Sequence, residues 1–173
     1  MIVGDLRHFY IKIGGFMIDK KELSIFQIFD GYNEKQLGDI LTCGEILRFK
    51  KDESIFHESN ISLELFLLVD GIVSVKIEPL VLDKNTQDKA LLAILGAGEV
   101  FGEMAFIQGR KRSAHIRALE NVRVLKLDGL KLYDLFEKQN YIGYIFMRNL
   151  AIILAQRLLD INYRWKNEVD GIK

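Results

Sequence analysis

From Glu45 to Asp128 the chain runs through short apolar stretches rich in β-branched and aromatic residues, broken by turn residues at roughly ten-residue intervals. The stretches are EILRFKK, SIFHE, ELFLLVDGIVSVKIE, KALLAIL, SAHIRAL and RVLKLD. The regular punctuation is that of an all-β sandwich or barrel. Asp70-Gly71 is a hairpin signal. Pro79 falls where the strand after it should end, since proline cannot donate to a sheet ladder, and LDKNTQDK follows as a polar loop.

Helical signals flank this block. Asn33 with Gln36 three residues later forms a capping box, and Leu37, Ile40 and Leu41 share one face of the short helix it opens. Just before it, Ile25, Phe26, Ile28 and Phe29 form an apolar turn that would anchor that helix. Asp128 is the expected N-cap of GLKLYDLFEKQ, and a longer helix follows. In that helix Met147, Ala151, Leu154, Leu158, Ile161 and Trp165 alternate spacings of four and three, while Ile142, Ile145, Phe146, Leu150 and Ile153 line a neighbouring face. Two apolar faces need two covers. The strands supply one; a second copy of the chain or a ligand would supply the other. Upstream, HFYIKIGGFMI places two β-prone runs around Gly14-Gly15, so residues 1–21 read as a hairpin or arm preceding a domain over 22–173.

Composition removes several function classes. The 173 residues, 49% hydrophobic, suit one compact core. Equal numbers of basic and acidic residues, 24 of each, leave no global field for nucleic acid or an anionic membrane. The lone Cys43 excludes an intrachain disulfide, fits a reducing cytoplasm and reads as a buried helix residue. Asp5, Arg7, His8 and Lys12 interrupt any secretory signal, and Arg148, Asn149, Gln156 and Arg157 interrupt the most apolar stretch, so no membrane span is expected. Three histidines without HExxH or CxxC spacing give no metal site, and neither a GxSxG elbow nor a phosphate-binding P-loop occurs. His115, out of phase with Ala114, is expected on the surface.

The segment FGEMAFIQGRKRSA, 101–114, carries the chemistry. Gly102 lets a bound group approach the main chain, and Glu103 to Ile107 fit one helical turn whose first N–H groups would meet an anion. Nine positions beyond Glu103 stands Arg112, whose guanidinium matches paired phosphate oxygens. A carboxylate beside a phosphate is repulsive unless it has its own donor, and a sugar hydroxyl is one. The combination describes a nucleotide whose phosphate and ribose lie close together.

This segment resembles the phosphate-binding cassette of cyclic-nucleotide-binding domains, as found in the catabolite activator and protein kinase A regulatory subunits. FGEMAF, IQGRK and RSA match its successive parts, and RFKKDESIFHESNISLELFLLVDGIVSV resembles the family's first strands. The resemblance covers about Phe26 to Asn162. It implies a mainly β fold, an eight-stranded jelly-roll barrel with a short N-terminal helix and two C-terminal helices. By position, Glu103 would bind the ribose 2'-hydroxyl and Arg112 the phosphate, with main-chain contacts from Gly102, Met104 and Ala105 and a hydroxyl from Ser113; Phe101 and Ala114, at the two ends of the segment, are also expected among the ligand-binding residues. Tyr163 and Trp165 are the candidates for a lid. Lys111 stands where many members have proline, Phe106 where leucine is usual, and Asp52 and Ser59 where glycine is common. Arg110 and Lys111 are either a contact to a second phosphate, as in a cyclic dinucleotide, or a solvated basic loop.

The resemblance thus implies a stand-alone, non-enzymatic sensor for cAMP or cGMP, without cofactor or metal, whose C-terminal helices move to signal to an effector protein. A homodimer through the last helix is its candidate assembly. With few residues after Trp165, direct DNA binding is not expected. The alternative is a ligand-free interaction module in which Glu103 and Arg112 simply pair with each other.

Overall fold

The computed structural model describes residues 3–5, 8–13, 16–78 and 90–170. Strands β4 (Gly44–Phe49), β5 (Ser54–Phe56), β6 (Leu65–Asp70), β7 (Val73–Ile77), β8 (Ala90–Leu95), β9 (Val100–Phe101), β10 (His115–Ala118) and β11 (Val122–Leu127) form the expected eight-stranded jelly roll. They make two four-stranded antiparallel sheets, β5-β10-β7-β8 and β4-β11-β6-β9, which are not closed into a barrel. Pro79 and the polar loop expected after β7 lie outside the described residues.

Strand β6 shows how the core divides. Its side chains alternate across the sheet, so Phe66 and Leu68 enter a cluster with Val73, Phe101, Ile116 and Val124. Leu65, Leu67 and Val69 face the helices instead, joining Ile40, Phe106, Leu132, Ile142 and Phe146. A strand buried on both faces must be apolar throughout, which is why LFLLV lacks polar alternation. Asp70-Gly71 does not close a hairpin: β6 and β7 belong to different sheets, and the dipeptide turns the chain from one to the other. Gly71 sits at φ +91°, and a Cβ there would lie 2.7 Å from the Asn121 carbonyl oxygen.

Two of the positions where the family favours glycine hold left-handed backbone here, Asp52 at φ 68° and Ser59 at φ 69°. L-residues pay for that conformation, serine more than aspartate. Ser59→Gly is therefore expected to raise stability by about 0.5 kcal/mol, the relief of strain exceeding the added entropy of the unfolded chain. Thermal melting checks it; a lower Tm would mean that the Ser59 side chain is itself needed.

The helices form where their caps predict. Asn33 and Gln36 exchange both capping bonds at the start of α2 (Glu34–Leu41), and Asp128 accepts from Leu130 and Lys131 at the start of α4 (Gly129–Lys138). Cys43 is buried, but it lies in the turn after α2 rather than in the helix. Phe26, Ile28 and Phe29, around a 3-10 turn at Gln27–Phe29, are buried, whereas Ile25 is exposed.

At the N-terminus β1 (Val3–Asp5), β2 (His8–Ile13) and β3 (Phe16–Asp19) form a small antiparallel sheet, with Ile13 paired to Phe16 across the expected hairpin. Gly14 and Gly15 lie outside the described residues. Ile13 and Ile18 are buried in the same cluster as the helices, so this hairpin is packed on the core. A short helix, α1 (Lys20–Leu23), follows under a capping box from Asp19, and its Glu22 pairs with Arg123 of β11.

The long helix α5 (Asn140–Asp170) lies on this core through Ile142, Ile145, Phe146 and Leu150. Asn149, 2% exposed, donates to the carbonyls of Ile28 (3.1 Å) and Asp30 (2.8 Å), and Tyr32 donates to the Ile142 carbonyl (2.7 Å). By length and composition, Asn140–Asn167 is apolar enough to cross a membrane, with a mean hydropathy of 1.3 over its most apolar window. Here one face of it is core. From Leu158 to Asn167 every residue is exposed, leaving Leu158, Ile161 and Trp165 of the stripe uncovered.

Candidate functional site

The segment at 101–114 begins as β9 ends. Gly102 adopts φ +80° and starts α3 (Glu103–Gln108), which Gly109, also left-handed, terminates. Glycine is required at 102 because an added Cβ would lie 2.6 Å from Arg112 Nη1 and 3.1 Å from the Glu64 carbonyl oxygen. The missing side chain is the space the guanidinium occupies.

Arg112 is 3% exposed. Its main chain is pinned by the turn after β5, the N–H donating to Asn60 (2.9 Å) and the carbonyl accepting from Ser59 (3.0 Å). Nη1 donates to the Gly102 carbonyl (2.9 Å) and Nη2 to Glu64 Oε2 (3.0 Å). The guanidinium carbon lies 4.4 Å from the centroid of Phe56 and 5.4 Å from that of Phe66, a cation–π seat. Phe66 in turn stacks on Phe101, centroids 5.3 Å apart. Nε is buried and has no acceptor.

Burial lowers the Arg112 pKa and the charge of Glu64 opposes that shift, while arginine's high intrinsic pKa keeps it cationic. Burial would raise the Glu64 carboxyl; hydrogen bonds from Ser62 and from its own backbone, with the charge of Arg112, outweigh it and hold the group below its ordinary value.

Glu103 does not pair with Arg112. Its Oε1 accepts from Nη1 of Arg157 on α5 (3.1 Å), while Nη2 of the same arginine donates to the Val100 carbonyl and lies 3.8 Å from Glu99 Oε1. Glu64 and Arg157 are thus the polar partners that sequence reading missed. Glu64 had no local pattern to mark it, and Arg157 was legible only as a charge interrupting an apolar helix.

The other expected residues are placed as follows. Phe101, Ala105 and Ala114 are buried; Met104 and Ser113 are exposed. Arg110 and Lys111 are exposed and line an open groove of about 480 Å³ with Ile61, Gln108 and Gly109. Tyr163 and Trp165 are each 68% exposed and lie about 9 and 12 Å along α5 beyond Arg157. His115 is not on the surface: it is buried, with Nε2 at 3.5 Å from both Glu58 Oε2 and Glu78 Oε1. Among the described residues no group of three or more His, Cys, Asp or Glu side chains is placed to hold a metal ion.

Apolar packing also joins this segment to the C-terminal helices. Phe106 is fully buried, stacks on Tyr133 of α4 (centroids 5.0 Å apart, planes 7° apart) and meets Phe146 of α5 edge-on. Tyr133 also donates its hydroxyl to the Phe106 carbonyl, and burial raises that hydroxyl's pKa.

The sequence profile described as cyclic nucleotide-binding domain matches residues 46–139, more than half of the chain, including the whole segment just described. The chain belongs to the cyclic nucleotide-binding domain family. It is 28% identical over 131 residues to the cyclic AMP receptor protein of Thermus thermophilus, an alignment covering 76% of this chain and 56% of the receptor. The chain spans less of two further curated relatives, 28% and 14%. In fold it is similar to a cyclic nucleotide-binding domain from Methylobacillus flagellatus (TM-score 0.74, 22% identity, covering 86% and 84% of the two chains). It is also similar to the regulatory domain of Toxoplasma gondii PKA solved with cAMP (TM-score 0.60, 17% identity, 81% and 48%).

Proposed function

We propose that this chain is a non-catalytic sensor that binds cAMP or cGMP, with the phosphate at Arg112, the ribose 2'-hydroxyl at Glu103 and main-chain contacts from Gly102 to Ala105. The observation that carries this reading is the Arg112 Nε, a donor sealed inside a cationic, aromatic seat with no acceptor. A buried donor left unmade costs about 1–3 kcal/mol. An anionic oxygen reaching the guanidinium would remove that cost, so the ligand-free site is poised toward phosphate. Phe106 supports a route for the signal, since a shift of α3 would press directly on Tyr133 and Phe146. The uncovered length of α5 is then the surface offered to a protein partner.

A second reading has its own support. Glu64 already occupies Arg112 and Arg157 already occupies Glu103, as a ligand-free interaction module would require. Thermal melting separates the two. A nucleotide at 100 times its Kd stabilises the folded state by about 2.7 kcal/mol, which for a chain of this size raises Tm by roughly 5–10 °C. The sensor predicts that rise with cAMP or cGMP and a much smaller one with 5'-AMP, whose phosphate is not held against the ribose. A rise with a cyclic dinucleotide alone would instead assign Arg110 and Lys111 to a second phosphate. No rise with any of them would leave the interaction module.

A further inference from the structure

We propose that His115 is a positioning residue of the nucleotide site: it holds Arg112 in place only while its ring is neutral, so nucleotide affinity falls as the ring takes up a proton. This deepens, and rests on, the nucleotide-binding reading above. The link runs through the turn after β5, residues 57–60. His57 N–H donates to Asn60 Oδ1 (2.8 Å) and Asn60 N–H to the His57 carbonyl (3.2 Å), closing the turn. Its Ser59 N–H and Asn60 carbonyl are the two groups that pin the main chain of Arg112. Between His57 and Ser59, the Glu58 N–H donates to Nδ1 of His115 on β10 (3.2 Å). A backbone amide can only donate, so Nδ1 carries no proton in this arrangement and the neutral ring keeps its proton on Nε2.

The surroundings draw a further proton to this ring. Nε2 lies 3.5 Å from Glu58 Oε2 and 3.5 Å from Oε1 of Glu78, just past β7, and both carboxylates favour the imidazolium. Burial opposes it, the residue being 8% exposed, as does the charge of Lys76, the cross-strand neighbour of His115 on β7. Arg117, the next residue on that face of β10, donates instead to the Asp52 carbonyl (2.8 Å). The added proton must go to Nδ1, where it confronts the Glu58 N–H. Nδ1 of His57 stands 3.5 Å away as an alternative acceptor. Protonation therefore exchanges one partner for another: Nδ1 leaves the Glu58 N–H for His57, and the turn that carries Ser59 and Asn60 loses this tie to β10. Nucleotide and proton then favour different states of one turn, and by linkage each weakens the other's binding by the same factor.

The test uses the full chain as wild type, His115→Asn and His115→Ala, with melting curves as the folding control. Each is titrated calorimetrically with cAMP and cGMP at about pH 8 and about pH 5.5, spanning the range in which an imidazole takes up a proton. The wild type is expected to bind about tenfold more weakly at the lower pH, the worth of one hydrogen bond. Asparagine can set Oδ1 where Nδ1 stands and is not protonated in this range, so His115→Asn should match the wild type at the higher pH and keep that affinity at the lower. His115→Ala, which offers the Glu58 N–H no acceptor, should bind about tenfold more weakly at both. A wild type whose affinity is the same at both pH values, or rises on acidification, overturns this proposal alone. So does a pH dependence that persists in His115→Asn, because it belongs to another group. If His115→Ala is too unstable to titrate, the wild-type and His115→Asn profiles decide between the same outcomes. A wild type that binds neither nucleotide at either pH overturns both readings.

Discussion

Arg112→Ala is expected to weaken cyclic-nucleotide binding at least about 100-fold, equivalent to about 2.7 kcal/mol, while the domain remains folded. The guanidinium is a buried cation of the cassette, and its bonds to a phosphate would be charge-assisted and formed out of water, where their loss costs most. Survival of the fold follows from the partner left behind. The Glu64 side chain is 33% exposed, so its carboxylate can rehydrate when the ion pair is lost. Arg112→Lys should lose most of the affinity as well, because an ammonium cannot bond the Gly102 carbonyl, Glu64 and a phosphate in the fixed fork the guanidinium provides. Calorimetric titration of both variants, with melting curves as the folding control, decides it. Unchanged affinity in Arg112→Ala would reduce the residue to a buried ion pair.

Phe106→Ala is expected to cost about 3–5 kcal/mol of stability, the range for truncating a fully buried phenylalanine. The side chain fills the junction of α3, α4 and α5, and its removal takes away the stack on Tyr133 and the edge contact to Phe146 together. Phe106→Leu, which restores the residue usual in the family, should cost roughly 1 kcal/mol, since it keeps apolar volume while losing the aromatic contacts. Denaturant unfolding of the two variants gives both values. A loss below about 1 kcal/mol in Phe106→Ala would show that the helices are held without this residue, and would remove the Phe106 route for the signal.

The parts of this fold that were legible in sequence are those fixed by local physics. Asn33, Gln36 and Asp128 cap helices because their side chains reach backbone donors two or three residues away. The run from Leu65 to Val69 declared a buried strand by its unbroken apolar character. Pairing between distant strands has no such local signature. Asp70-Gly71 carries the composition of a hairpin, yet a glycine with positive φ serves equally well at a corner between two sheets, and only the pairing of β6 and β7 into different sheets shows which it is. His115 failed for a related reason: simple alternation put it outside, but the residue is buried, with carboxylate oxygens of the distant Glu58 and Glu78 each 3.5 Å from Nε2.

At the site, the FGEMAF segment and Arg112 were visible because a glycine, an acid and a basic residue at fixed spacing describe a nucleotide's phosphate and ribose. Their partners were not. Glu64 lies 48 residues before Arg112 and Arg157 lies 54 after Glu103, so each contact depends on how the sheets and helices pack. What the structure adds is that the two cassette side chains are already held by the protein, one by a strand-flanking carboxylate and the other by the long helix.

The central claim, that this cassette takes a cyclic nucleotide, is tested most directly by calorimetric titration of the nucleotide-stripped wild-type protein with cAMP and cGMP. The account predicts one site per chain, a micromolar or tighter Kd for at least one of the two, and no comparable heat with 5'-AMP. Absence of saturable heat with either cyclic nucleotide, from protein whose melting curve shows it folded, would contradict it.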